Sequence, residues 1–121
     1  MASKAVVNLA TVTFSGSSIP VAFLVAVGAA ETGHETLMFL TKEAVRVAVV
    51  GTAIGTACEG CPPLADLLKR YEAANGRYYV CPICFNAKHL DADELIPGAE
   101  LNGTVPMWKW IGDEPATTFS Y

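Results

Sequence analysis

The four cysteines of the chain stand in two C-x-x-C pairs, and thiols at this spacing are the side chains best suited to chemistry. The pairs are Cys58 with Cys61 and Cys81 with Cys84. Cysteines three residues apart share one face of a helical turn, and the free amide groups at a helix start favour the thiolate form. Because the negative charge of Glu59 lies within the first pair and disfavours a thiolate, we expect Cys81 and Cys84 to be the reactive pair.

Strand-like and helical patterns alternate along the 121 residues and must position these thiols. Apolar runs typical of strands cover residues 4–10, 35–40, 77–81 and 117–121. Helical patterns cover residues 18–32, 42–49 and 64–74, with a short turn after Asp91 or Asp93. Periodicity does not decide between helix and strand for residues 105–112. The alternation predicts an α/β layer structure, which we expect to form a single domain over residues 1–121.

The two cysteine pairs are expected to meet at one edge of the sheet. If residues 37–40 and 78–81 form parallel strands joined by the helix 64–74, both pairs arrive at the carboxyl edge, where open α/β sheets place their sites. Nineteen residues separate the pairs, a spacing within the range of zinc sites, so four thiolates could form a closed tetrahedral zinc site. Alternatively, the thiols carry persulfide sulfur, or they exchange disulfides as a dithiol redox protein does. The residues alone leave these chemistries open.

Other side chains are candidates for the same site or for an interface. Asn8 and Thr11 lie at the carboxyl end of the first predicted strand and could line a pocket with the thiols. His89 could stabilise a thiolate, because a nearby cation lowers the pKa of a thiol. We expect Trp108 and Trp110 in the core or at a subunit interface.

Composition limits the function classes. Basic residues are scattered singly and the net charge is −4, which excludes a nucleic-acid footprint. The apolar stretch 19–30 is too short to span a bilayer and lacks the pattern of a signal peptide, so we expect a cytoplasmic protein without membrane contact. Cytoplasmic cysteines are more often metal-binding or redox-active than structural. A hydrophobic content of 52% with only 17% charged residues favours an oligomer that hides further apolar surface.

The order of these elements resembles the DsrE/DsrF-like sulfur-relay family. The resemblance covers nearly the whole chain: strand, long helix, strand, short helix, C-x-x-C and helix precede Tyr-Val-Cys at residues 79–81. Lys-His-Leu at 88–90, Leu-Ile-Pro-Gly-Ala at 95–99 and a terminal Thr-Phe-Ser-Tyr then follow. Family members often have Arg-Gly where this chain has Lys88 and His89, and the family pattern does not require Cys58, Cys61 or Cys84.

The resemblance implies a three-layer α/β/α sandwich with a mainly parallel sheet of about five strands. It also implies that Cys81 accepts and passes on sulfur as a persulfide, with Cys84 resolving or supporting it and Cys58 and Cys61 as a second thiol pair. No cofactor is expected in this interpretation, whereas the zinc alternative uses all four thiols. The implied partners are sulfur donor and acceptor proteins and further copies of the chain, in a trimer or hexamer.

Overall fold

The computed structural model describes residues 3–10, 18–50 and 63–121. In these residues, five parallel strands form one sheet in the order β4-β3-β2-β1-β5. The strands are β1 (Lys4–Leu9), β2 (Thr36–Leu40), β3 (Arg77–Val80), β4 (Ala99–Leu101) and β5 (Ala116–Ser120). The α-helices of the same residues are α1 (Ser18–Glu31), α2 (Leu64–Ala73), α3 (Pro82–Ala87) and α4 (Thr104–Ile111), and 3₁₀ segments cover Lys42–Ala48 and Ala92–Glu94.

The order of the strands explains why helices cover both faces of the sheet. From β1 to β4 each connection moves one strand in the same direction, so right-handed crossovers keep α1, α2 and α3 on one face. The connection from β4 to β5 returns across the whole sheet in the opposite direction. The same handedness therefore places α4 on the other face. The predicted three-layer α/β/α sandwich with a parallel sheet of about five strands is confirmed.

The two faces bury very different amounts of apolar surface. The main core cluster lies on the face of α1, α2 and α3, and its largest buried side chains are Phe23, Tyr71, Tyr78 and Phe85. On the α4 face, the second cluster has a buried centre of Leu37, Phe39 and Tyr79, packed against Met107 and Trp110. Most of the hydrophobic stabilisation therefore lies between the sheet and the first three α-helices.

Several predicted boundaries shift in the structure. Strand β3 ends at Val80, so Cys81 follows the strand rather than closing it, and residues 104–111 form a helix. Strand β4 was not predicted, because three residues are too few to show a period. Trp110 is half-buried on the second cluster, whereas Trp108 is 66% exposed.

Candidate functional site

Strand β3 delivers Cys81 to the carboxyl edge of the sheet. The strand is Arg-Tyr-Tyr-Val, and its last three residues are buried, which fixes its register against β2. The amide of Cys81 then donates to the carbonyl of Leu40, the last residue of β2, at 2.9 Å. The amide of Asn102 donates to the Val80 carbonyl at 3.2 Å. Cys81 is therefore held between the ends of β2 and β4.

Helix α3 begins directly at this cysteine. Cys81 is the residue that precedes the helix, and Pro82 occupies the first helical position, where its missing N–H costs nothing. The amide of Phe85 donates to the Cys81 carbonyl at 2.9 Å, and the buried ring of Phe85 anchors the turn in the main core cluster. The predicted helical turn at the C-x-x-C motif is confirmed.

Cys81 and Cys84, the cysteines that the structure describes, are both free thiols. Each is half-buried and packs against the main core cluster, so neither is fully enclosed. Between them, Ile83 is 80% exposed. The turn thus combines two half-buried thiols with an apolar side chain that faces solvent.

An ion-pair network ties the end of α3 to the neighbouring 3₁₀ segment. Lys88 lies 3.0 Å from Glu43, which also pairs with Arg46 at 2.8 Å. Hydrogen bonds from Arg46 and Lys88 lower the pKa of the Glu43 carboxyl below its usual value. The Lys88 ammonium, at the end of α3, is thus engaged by this carboxylate rather than turned toward the thiols. Glu43 and Lys88 are 45 residues apart, and no local sequence pattern signals their contact.

The other predicted pocket residues are less closely linked to Cys81. Asn8 pairs in register with Phe39, which puts its side chain on the α4 face, and its amide lies 3.4 Å from the Ser120 hydroxyl. His89 is exposed just after α3 with a φ of 55°, and its backbone amide donates to the Asn86 carbonyl. A role for either residue at the thiols stays a prediction.

Cys58, Cys61 and Thr11 lie outside the described residues. Their predicted approach to Cys81 therefore stays a prediction, as does a zinc site that would need all four cysteines. Within residues 3–10, 18–50 and 63–121, no group of three or more His, Cys, Asp or Glu side chains is placed to hold a metal ion.

Comparison with known proteins identifies the family. The sequence matches the DsrE/DsrF-like family over residues 4–117. The chain belongs to the DsrE/DsrF-like family. No protein among the curated ones matches it in sequence.

Solved structures similar to this DsrE/DsrF-like chain support the same fold. The crystal structure of the YchN protein from E. coli has a TM-score of 0.80 at 18% identity, covering 98% of this chain and 99% of that one. A protein of unknown function, MTH1491 from Methanobacterium thermoautotrophicum, has a TM-score of 0.63 at 12% identity with the same coverage. At these identities the likeness shows the fold alone. In the described part of the chain, no helix has the length and apolar character needed to cross a membrane.

Proposed function

We propose that this DsrE/DsrF-like protein carries sulfur as a persulfide on Cys81 and passes it to an acceptor protein in the cytoplasm. The observation that carries the proposal is the position of Cys81: a free, half-buried thiol at the carboxyl edge of a parallel sheet, directly before a helix. Membership of the DsrE/DsrF-like family supports a sulfur-relay role.

The transfer needs no cofactor and is redox-neutral. The Cys81 thiolate attacks the outer sulfur of a donor persulfide, a new S–S bond forms on Cys81, and the donor leaves as a thiolate. An acceptor thiolate then attacks the same outer sulfur, and Cys81 returns to its thiolate form. The partial enclosure of Cys81 against the main core cluster limits the access of water to the bound persulfide.

We propose that Cys84 resolves or supports the loaded state. It lies in the same helical turn as Cys81. If its thiolate attacks the Cys81 sulfur, a Cys81–Cys84 disulfide forms and the outer sulfur leaves as hydrosulfide, so an external dithiol must reduce the pair before Cys81 can load again. Direct transfer to an acceptor thiol avoids the loss of sulfur as hydrosulfide. We propose Cys58 and Cys61 as a second thiol pair that serves the same relay.

We further propose that the protein works as a homo-oligomer that contacts donor and acceptor proteins, without nucleic acid or membrane. On α4, Val105 is 63% exposed and Trp108 is 66% exposed. Large apolar side chains on a helix that has no buried residue of its own support contact with another copy of the chain. Light scattering coupled to size exclusion measures the oligomer directly, and a monomer at all concentrations would contradict this part of the proposal.

Matched cysteine variants test the central step. The wild type, Cys81→Ser and Cys84→Ser are each incubated with a small-molecule persulfide, and the bound sulfur is measured by intact-mass spectrometry. We expect Cys81→Ser to lose loading, while Cys84→Ser still loads. Circular dichroism of both variants controls for the fold. Retained loading in a folded Cys81→Ser variant would contradict the proposal.

A further inference from the structure

A cavity lies at the opposite edge of the sheet from the thiols. It has a volume of about 820 Å³ and opens at the amino ends of β1, β2 and β3, where Lys4, Thr36 and Arg77 begin their strands. This volume is within the range of about 300–1,000 Å³ that is typical of small-molecule sites. Since β3 separates Arg77 from Cys81, the cavity is about 13 Å from the thiol along the strand at about 3.3 Å per residue.

The backbone around the cavity is held by hydrogen bonds between residues of separate elements. The Tyr71 hydroxyl lies 2.7 Å from the Arg77 carbonyl and 3.2 Å from the Thr36 carbonyl, so it joins the starts of β2 and β3. The Thr36 hydroxyl donates to the His34 carbonyl at 3.0 Å. Nδ1 of His34 lies 2.8 Å from the Ser3 carbonyl. The His34 ring and the backbone at the starts of β2 and β3 are therefore fixed before any ligand arrives.

The cationic groups of the cavity differ in whether they are already paired. The Lys4 ammonium bonds the backbone carbonyls of Trp110 and Ile111 and lies 2.9 Å from Glu114, so its charge is engaged within the protein. Arg77 is exposed and forms no ion pair with any residue that the structure describes. A guanidinium presents a planar fork of donors that fits a carboxylate.

Two hydrogen-bond acceptors line the same cavity. Because a carbonyl only accepts, the contact with Ser3 puts the proton of a neutral His34 ring on Nδ1 and leaves Nε2 as an acceptor. The Glu35 carboxylate is 71% exposed, and its distance of 4.0 Å from the Lys4 ammonium is long for an ion pair. Its oxygens therefore stay available to a ligand. A ligand with only a negative charge would pair with Arg77 but be repelled by the Glu35 carboxylate. A ligand with only a positive charge would be attracted by Glu35 and repelled by Arg77.

We propose that this cavity binds a small zwitterion of the α-amino acid class. The ligand carboxylate pairs with Arg77, and its ammonium group donates to Glu35 and to Nε2 of His34. The half-buried Trp110 ring also lines the cavity, with the Lys4 ammonium over its face at 4.9 Å from the ring centroid. This site is independent of the proposed sulfur chemistry at the other edge, so either proposal can fail without the other.

Nuclear magnetic resonance of the full chain tests the site with free ligands. The twenty L-amino acids are titrated singly, and the one that binds most tightly is compared with its N-acetyl form, its carboxamide and inorganic phosphate. We expect a Kd of about 1 mM, with shifts concentrated in the amides of residues 33–35 and 75–77. Blocking either charged end of the ligand is expected to weaken binding about tenfold.

Variants of the lining residues decide the outcome. We expect Arg77→Gln to weaken binding about tenfold and Glu35→Gln about threefold, because each removes one charged contact. Arg70→Gln is the matched control, since Arg70 pairs with Glu31 and does not line the cavity; its Kd should not change. The absence of shifts with all amino acids at about 50 mM would overturn the proposal. Equal binding of blocked and free forms, or tighter binding of phosphate, would overturn it too.

Discussion

The two edges of the sheet are built for different tasks. At the amino edge, side chains are joined to backbone atoms of distant segments: the Tyr71 hydroxyl contacts the Thr36 and Arg77 carbonyls, and Lys4 holds the end of α4. At the carboxyl edge, Cys81 is positioned by backbone hydrogen bonds while its thiol stays free. A thiol that exchanges sulfur has to stay free, whereas the amino-edge side chains stabilise the fold through the bonds they make.

This difference separates stability from chemistry within one small fold. Substitutions of the buried bracing side chains at the amino edge, such as Tyr71, should change the free energy of unfolding, because they break contacts that are made only in the folded state. Substitutions at the carboxyl edge should change sulfur loading and leave the fold intact. The following variants test that division, from the largest expected effect to the smallest.

Gly76→Ala is expected to be the most destabilising change. A Cβ at this position would overlap the ring of Tyr71, which is fully buried and packs against Tyr78 with ring centroids 4.9 Å apart. Because that ring has no room to move, we expect a loss of about 3 kcal/mol in the free energy of unfolding, measured by urea denaturation. Gly28→Ala, in the last turn of α1, is the control, because its Cβ would meet no atom of another element within 4 Å. It should stabilise the protein by up to about 1 kcal/mol.

The neighbouring buried tyrosines should respond oppositely to loss of their hydroxyl groups. Tyr71→Phe removes two contacts to backbone carbonyls and should cost about 1–3 kcal/mol. The buried Tyr78 hydroxyl has no hydrogen-bond partner in the part of the chain that the structure describes. Tyr78→Phe should therefore be neutral or stabilise by up to about 1 kcal/mol, because an unpaired polar group no longer has to be buried. Equal losses for both variants in urea denaturation would contradict this account.

The same tyrosines predict alkaline unfolding. Burial raises the pKa of Tyr71 and Tyr78 above the ordinary value of 10.0, so they stay protonated in the folded chain while the unfolded chain loses these protons. Stability from this source is complete below about pH 10 and is lost as pH rises toward the raised pKa values. From pH 9 to pH 11 the slope should steepen toward a limit of about 1.4 kcal/mol per pH unit for each tyrosine. Urea denaturation between pH 9 and pH 11 measures this, and Tyr78→Phe should roughly halve the slope.

Glu43→Gln should have the smallest effect on stability. It weakens the ion pairs that the exposed Glu43 carboxylate makes with Arg46 and with the half-buried Lys88. Exposed pairs are screened by water and salt, so we expect the Tm to fall by less than about 4 °C. Scanning calorimetry at low and high salt measures the change. A loss of stability larger than that of Tyr71→Phe would contradict the proposed difference between the two edges.

Local sequence patterns predicted the elements that carry the thiols. The apolar face of α2, the apolar run of β3 and Pro82 at the start of α3 each specify structure within a few residues, which is why the position of Cys81 could be predicted. The edge strand β4 could not be predicted, because its position depends on pairing with β3 and three residues are too few to show an alternation of apolar and polar side chains. Contacts across the chain were also missed: the amino-edge cavity joins Lys4, Arg77 and Trp110 from separate elements. Such contacts depend on the order of the strands.

Mass spectrometry of the freshly purified chain tests the central claim most directly. Masses are measured under native and denaturing conditions before and after incubation with a small-molecule persulfide, and the modified peptide is then sequenced. We predict a gain of one sulfur atom per chain, mapped to Cys81. One zinc ion per chain in the native mass without any gain of sulfur, or sulfur mapped only to Cys58 or Cys61, would contradict the account.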